Sequence, residues 1–315
     1  MRGYVANTDY DWFTFLRARQ PLDEVNFWQP SAHSFKFPAG TPFFFKLKRP
    51  HYAIGGFGVF ARHEAATTRL AWEAFGVKNG AASFEEMRAR VEAYAHAPSA
   101  PGHQVGCIMV SQPVFFDEAD WVAQPKDWKS NIVSGSGYDL TTGEGRRIWE
   151  ECLARADRGG RLATAEDGSP LRVPAAADAP RFGAEQLIRP RLGQGSFRVA
   201  VTGAYAGACA VSGEHSLPVL DAAHIRPYTT EGGDHEVQNG LLLRADIHRL
   251  FDAGYVTVTP DFDFVVSARL KQEWENGKAY YALQRKVALP RNPADWPDRE
   301  VLRWHNEHVF ERSAA

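Results

Sequence analysis

The chain predicts an α+β protein of two units: a front unit forming a small β-barrel with helices, and a C-terminal unit built on a ββα hairpin. Three observations predict it. The length, 315 residues, exceeds one ordinary domain. In the front half, short apolar runs suited to strands are interrupted by segments of helical spacing. Between the halves lies a stretch of low hydrophobicity carrying Gly159-Gly160, Asp167-Gly168-Ser169-Pro170 and Pro174-Ala175-Ala176-Ala177, the composition of a linker. These features divide the chain into a front domain at 1–155, a linker at 156–185 and a C-terminal domain at 186–315.

Composition narrows the class. At 44% hydrophobic and 23% charged residues, the chain is globular. No apolar run approaches the roughly 18 residues of a membrane span, and the N-terminal residues lack a signal-peptide core. The expectation is a cytoplasmic protein with no membrane partner. Cys107, Cys152 and Cys209 are odd in number and scattered, which excludes a disulfide framework and a four-cysteine zinc site. The net charge of −2 gives no overall basic excess, so nucleic-acid binding would have to reside in local patches.

In the front domain, residues 43–47 (Phe-Phe-Phe-Lys-Leu) and 52–60 read as two strands joined by the turn Arg49-Pro50-His51. Gly55, Gly56 and Gly58 in the second run predict a bulge or a close backbone approach. The spacing predicts helices over 62–75 and 83–96, the latter opened by the capping box of Ser83 and Glu86. A further strand falls at 105–111, with Pro113 marking its end or an edge position.

Beyond the linker the chain turns basic. Arg181, Arg189, Arg191 and Arg198 stand against Glu185 alone, and a second basic segment covers 268–291. Between them, Val219–Ile225 is a short strand stopped by Pro227, and 229–238 is a polar loop. Asn239–Leu243 begins a second structured element, and Asp246–Asp252 forms a helix closed by Gly254. Strand, loop, strand and helix make a ββα hairpin able to gather His224, Asn239 and His248 around one cation.

The ordered triple His224, Asn239 and His248, the latter two nine positions apart, resembles the HNH, or ββα-metal, endonucleases. Ala222-Ala223-His224-Ile225-Arg226-Pro227, the run Asn239–Gly254 and the preceding Cys209–Gly213 are similar to a subgroup found in bacterial restriction nucleases. The resemblance implies that His224 is the general base that activates water against a phosphodiester. Asn239 would orient that imidazole or pin the loop, and His248 would bind a divalent metal, Mg²⁺ or Mn²⁺. Many family members carry an acidic ligand immediately before the catalytic His, where this chain has Ala223. Asp221 is the first candidate to replace it, with Asp246 and Asp252 behind. Only Cys209 remains of the four-cysteine zinc knuckle of many relatives, so no structural zinc is expected. Arg189, Arg191, Arg198 and Arg226 are the candidate DNA-phosphate contacts. The remaining histidines, His235 among them, read as packed, hydrogen-bonded side chains.

Short strings in the front domain, including Gly3–Thr8, Phe45–Lys48 and Ile54–Gly58, are similar to PUA-like modules of the EVE and ASCH type. What this resemblance implies is reading of a modified base held in an aromatic cleft. Asn7, Trp12, Trp28, Tyr138 and Asp139 are the candidate pocket, with Trp121, Trp128, Asp9 and Ser130 as further stacking or polar groups. For any one of these aromatics, the alternative is a place in the barrel core. The two resemblances together imply an endonuclease acting on double-stranded DNA and restricting DNA that carries modified cytosine, with a homodimer expected for double-strand cutting. The alternatives are an HNH nuclease without modification specificity, such as a toxin or nicking enzyme, and a non-catalytic nucleic-acid-binding module.

Overall fold

Three consecutive phenylalanines set the layering of the front unit, because strand alternation must send neighbours to opposite faces. Phe43 and Phe45 join Tyr4, Ala6, Trp12, Phe13 and Phe115 in one apolar layer. Phe44 joins Val5, Phe57, Val114, Ile148 and Trp149 in another. A strand apolar on both faces needs cover on both. The computed structural model describes residues 1–95, 102–158, 192–230 and 232–310, and the chain divides into the units Met1–Pro190 and Arg191–Ala315.

The front unit comprises β1 (Arg2–Thr8), α1 (Tyr10–Arg17), β2 (Glu24–Gln29), β3 (Pro42–Leu47), β4 (Ala53–Thr67), α2 (Thr68–Phe75), α3 (Phe84–Ala95), β5 (Gln104–Phe115), β6 (Val122–Ala123), β7 (Gly135–Asp139) and α4 (Gly143–Arg158). Seven strands form one sheet in the order β2-β5-β4-β3-β1-β7, with β6 added to β4. The β1–β3 pair is parallel and the others are antiparallel. Helix α1 covers the first layer with Trp12, Phe13 and Leu16; α4 covers the second with Ile148, Trp149, Cys152 and Ala156.

Two expectations are corrected here. The segment 62–75 is not one helix: β4 continues to Thr67, paired with β5 from Arg62↔Met109 to Thr67↔Gln104, and helix begins only at Thr68. Pairing with an already buried strand overrides the helical spacing of 62–67. Thr67 then caps α2, its Oγ1 accepting from the Leu70 amide at 3.1 Å. Pro113 does not end its strand. The β4–β5 register jumps from Val59↔Ser111 to Phe57↔Val114, so Pro113 sits in a bulge beside Gln112, whose φ is +49°. The expected close approach is present at Gly56, where a Cβ would fall 2.1 Å from the Val114 carbonyl oxygen. Ser83 and Glu86 form their capping pair, the Glu86 amide donating to Ser83 Oγ and the Glu86 carboxylate accepting from the Ala82 amide. Of the linker at 156–185, residues 156–158 complete α4 and the rest lies outside the described residues.

The second unit comprises α5 (Gln194–Ala204), β8 (Leu220–His224), β9 (Gly240–Arg244), α6 (Ala245–Asp252), β10 (Val256–Val258), β11 (Phe264–Val266), α7 (Arg269–Trp274), α8 (Lys278–Tyr281) and α9 (Arg299–His308). Strands β8 and β9 pair antiparallel from Leu220↔Arg244 to His224↔Gly240 without interruption. Gly254, at φ +74°, closes α6: Tyr255 N–H returns to the Leu250 carbonyl at 2.9 Å. Cys209 is buried, its Sγ accepting from the amides of Ser212 and Arg244. Among the described residues, no helix is long and apolar enough to cross a membrane.

Helix α9 ties this unit together through His305, which is 2% exposed. Its ring stacks on Phe251 of α6 at 3.7 Å, with Nε2 on the Phe251 carbonyl at 3.2 Å and Nδ1 on Thr257 Oγ1 at 2.9 Å. A carbonyl only accepts, so Nε2 carries the hydrogen and Nδ1 takes that of Thr257. Burial pushes this imidazole down to about 4, against the carbonyl's opposing pull. The unfolded chain takes up a proton near pH 6.5 and the native one only near 4, so acid favours unfolding between those values. Chemical denaturation at pH 7 and pH 4.5 is expected to show His305→Gln losing less stability on acidification than the parent chain. The largest difference this linkage allows is about 3 kcal/mol. Equal losses would remove His305 as the source.

Candidate functional site

The β8–β9 hairpin places its chemistry by strand alternation. With no bulge in the ladder, Asp221 and His224 leave opposite faces of β8. Asp221 reaches α6, its Oδ2 lying 3.2 Å from Nδ1 of His248. His224 instead lies against α5, its ring stacked on Phe197 at 3.9 Å with 8° between the planes. Gly240, directly across the ladder, leaves the room this packing requires: a Cβ there would come within 2.5 Å of Val201 and 3.0 Å of Phe197.

His224 is held uncharged. Burial first, then the electrostatic effect of His235 and of His248, push its imidazole down to about 4. The electrostatic effect of His248 on His224 links the two rings, although no direct contact joins them. At neutral pH, His224 therefore has a lone pair available for a proton.

Asn239, 3% exposed, does not hold the imidazole. Its Oδ1 accepts from the Arg226 amide at 2.9 Å, and its Nδ2 donates to the carbonyls of Arg226 and Asp234, each at 2.9 Å. Of the two roles expected for it, this geometry serves the pinning of the loop that follows His224. Inside that loop is a residue that the sequence reading set aside: Nδ1 of His235 lies 2.8 Å from Nε2 of His224. The signal was weak, since a lone histidine in a Gly- and Asp-rich loop has no partner visible in the sequence.

The carboxylates sort themselves by partner. Asp246 is taken by Arg244, at 2.6 and 2.8 Å, and by the hydroxyl of Tyr280. Asp252 approaches the other nitrogen of His248, Oδ2 to Nε2 at 3.3 Å. Its surroundings and the charge of Asp221 hold its carboxyl above the usual value, with His248 pulling it down. Among the described residues, no three His, Cys, Asp or Glu converge as a ready-made cation cage. Two carboxylates facing one imidazole nevertheless make a donor set of mixed oxygen and nitrogen that suits a divalent cation, leaving further positions for water and phosphate.

Of the expected phosphate contacts, Arg226 lies with its guanidinium 4.9 Å from the Trp304 ring centroid, and among the described residues its buried Nε has no hydrogen-bond partner. Arg198 follows Phe197 on α5, and Arg189 and Arg191 lie outside the described residues. In the second basic segment two charges are neutralised locally, Arg269 on Glu273 at 2.6 Å and Lys286 on Asp263 at 3.0 Å.

In the front unit the candidate pocket residues part company. Trp12 is core, 5% exposed and packed on Phe27 and Phe45. Trp28 donates its indole N–H to the Asn79 carbonyl at 3.0 Å and meets Tyr94 edge-on. Asp139 caps its own turn through Thr141 and faces the N-terminal amine. Asn7 donates to the carbonyls of Ile132 and Val133 and accepts from Lys46 Nζ at 3.1 Å. Lys46 is the missed residue: 3% exposed, its ammonium lies 4.7 Å from the Trp128 ring centroid, and burial followed by the charge of Lys48 lowers its pKa. Tyr138 bonds Asp127, the neighbour of Trp128, at 3.0 Å.

Residues 209–259 match the HNH_2 family, described as HNH endonuclease. The C-terminal unit thus carries an HNH endonuclease domain, of a family of phosphodiester hydrolases that generally use a divalent metal. No curated protein matches the chain. Among solved structures it is similar to a modification-dependent TagI restriction endonuclease, at 16% identity and a TM-score of 0.28. That match covers 87% of this chain and 63% of the other, so the chain spans less than two thirds of that enzyme's length. It is also similar to two mutant forms of an ASCH protein from Zymomonas mobilis, at 12% and 9% identity and a TM-score of 0.29 each. Those matches cover 46% of this chain and 96% and 94% of the others.

Removing the Asn239 side chain leaves one amide and two carbonyls of the loop without their partner. Asn239→Ala is expected to cost about 2 kcal/mol of stability and to speed hydrogen exchange at the Arg226 amide. Unchanged protection at Arg226 would show that the loop is held by other contacts.

Proposed function

We propose that the chain is a DNA endonuclease that restricts DNA carrying modified cytosine. The front unit reads the base, and the C-terminal unit hydrolyses the phosphodiester with one divalent metal, Mg²⁺ or Mn²⁺. The observation that carries the reading is the contrast between two histidines of one hairpin: His224 is kept neutral by burial, and His248 is flanked by carboxylates.

His224 acts as general base, taking a proton from the attacking water; a neutral imidazole does this near pH 7 without needing to lose a proton first. Asp221 and His248 would hold the metal, with Asp252 close enough to join them. When bound, that ion supplies positive charge to the scissile phosphate and the leaving oxygen. Asn239 keeps the loop after His224 in place. Arg226, Arg198, Arg189 and Arg191 grip phosphates on either side of the cut, which makes binding fall steeply with salt. In the front unit, the base reader centres on Asn7, Lys46, Trp128 and Tyr138. An ammonium and an amide beside an indole match what a flipped base offers, polar edge atoms and a face for stacking.

Purified protein with Mg²⁺ or Mn²⁺ and matched modified and unmodified duplexes tests the reading. Modified DNA is expected to be cut and plain DNA spared. Equal cutting of both would leave a nuclease without modification specificity, and no cutting in either metal would leave a binding module. His224→Ala is expected to abolish cleavage while DNA binding by gel shift persists; residual cutting at a rate near the parent's would remove His224 as the base. Trp128→Ala is expected to narrow the preference for modified DNA by about tenfold, the scale of one lost stacking contact. An unchanged preference would move the reader elsewhere.

A further inference from the structure

His235 belongs to no part of the HNH triple, yet its position is fixed from several sides. Its ring stacks on Tyr228 at 4.2 Å with 16° between the planes, and the His224 ring stacks on Phe197. The two imidazoles meet at 4.9 Å and 61° between these aromatic walls. Asn239 holds the carbonyl of Asp234, the preceding residue, and Val237, two residues on, is buried. The loop therefore delivers Nδ1 of His235 to Nε2 of His224 at 2.8 Å with little freedom to withdraw it.

A single hydrogen occupies the line between two neutral imidazole nitrogens, so one ring must donate and the other accept. If His235 donated, Nε2 of His224 would be the acceptor and Nδ1 of His224 would carry the ring's only hydrogen. That tautomer has no lone pair left for a proton from water. If His224 donates, its Nδ1 keeps the lone pair, and among the described residues nothing hydrogen-bonds that nitrogen. We infer that His235 is a positioning residue: it accepts the Nε2–H of His224, fixing the one tautomer and ring orientation in which Nδ1 can take the water's proton. This role rests on His224 being the base. The Nε2–H stays on His224 throughout, and no proton passes to His235.

An aspartate in this position would serve the same tautomer while adding a negative charge that favours the imidazolium. A neutral histidine sets the tautomer without that effect. The groups around His224 agree with this. His235 comes from the loop and His248 from α6, α5 presents the Phe197 ring, and Gly240 of β9 has no side chain.

The test is single-turnover cleavage of a modified duplex across pH, for the full chain and for His235→Leu, His235→Asp and His224→Ala, with folding checked by circular dichroism and DNA affinity by gel shift. His235→Leu is expected to lower the rate by about tenfold or more at unchanged DNA affinity. His235→Asp is expected to recover most of the rate at alkaline pH, with its acidic limb moved up by about 1 pH unit or more. A folding defect cannot move that limb, so the aspartate variant decides even if the leucine variant is unstable. If His224→Ala is inactive while His235→Leu cuts at the parent rate, the positioning role is wrong and the base assignment stands. If His224→Ala still cuts, both fall together. Recovery of His235→Leu by raised metal concentration would overturn the inference in favour of a metal-binding role.

Discussion

An imidazole can take a proton from water only while it carries no extra proton itself, and most of the C-terminal unit's local design bears on that condition at residue 224. Burial against Phe197 strips the ring of water and makes its charged form costly. The electrostatic effect of His235 and His248 pushes the same way. That packing depends in turn on Gly240, because any larger residue across the ladder would collide with Phe197 and Val201. The adjacent Asn239 closes the loop carrying His235 by binding its backbone at both ends. The Asn239-Gly240 pair at the start of β9 thus does two separate jobs, one polar and one steric.

The opposite face of the hairpin has the opposite electrostatic problem. Asp221 and Asp252 both approach His248, and burial, with the charge of Asp221 adding to it, holds the Asp252 carboxyl above its ordinary value against the pull of His248. Asp246, on the same helix, is kept out by Arg244 and Tyr280, whose bonds hold its carboxyl below the usual range. The three acidic candidates therefore differ through their neighbours: Asp221 and Asp252 face an imidazole, and Asp246 is neutralised. Helix α6 can carry this arrangement because its other face is fixed by Phe251 stacked under His305 of α9.

Where the sequence was legible, the reason was periodicity. Alternation across 43–47 placed three phenylalanines in two layers, and the run from 219 to 254 contained strand, loop, strand and helix with clear stop residues at Pro227 and Gly254. It failed where a tertiary partner decided the outcome. The stretch 62–67 has helical spacing but pairs with β5, and Pro113 sits inside a strand because a bulge removes the need for its missing amide. Trp12 and Trp28 have the same residue type and similar flanking turns, yet one is core and the other is tied to Asn79. Lys46 is one charge within an apolar strand run, and only the assembled sheet brings Asn7 and Trp128 to it.

His235 illustrates the limit most sharply. A sequence motif records groups whose spacing is fixed by continuous regular structure, as Asn239 and His248 are by the strand β9 and the helix α6 that follow Asn239 without a break. His235 hangs on a loop, where spacing alone fixes no direction, and its position follows from bonds that Asn239 makes to other residues' backbone. A ring in that place changes the meaning of its neighbour: of the two neutral tautomers of His224, only the one that donates to His235 leaves a nitrogen with a free lone pair. In the proposed mechanism a residue outside the motif thus selects the tautomer of the motif histidine, through one shared hydrogen.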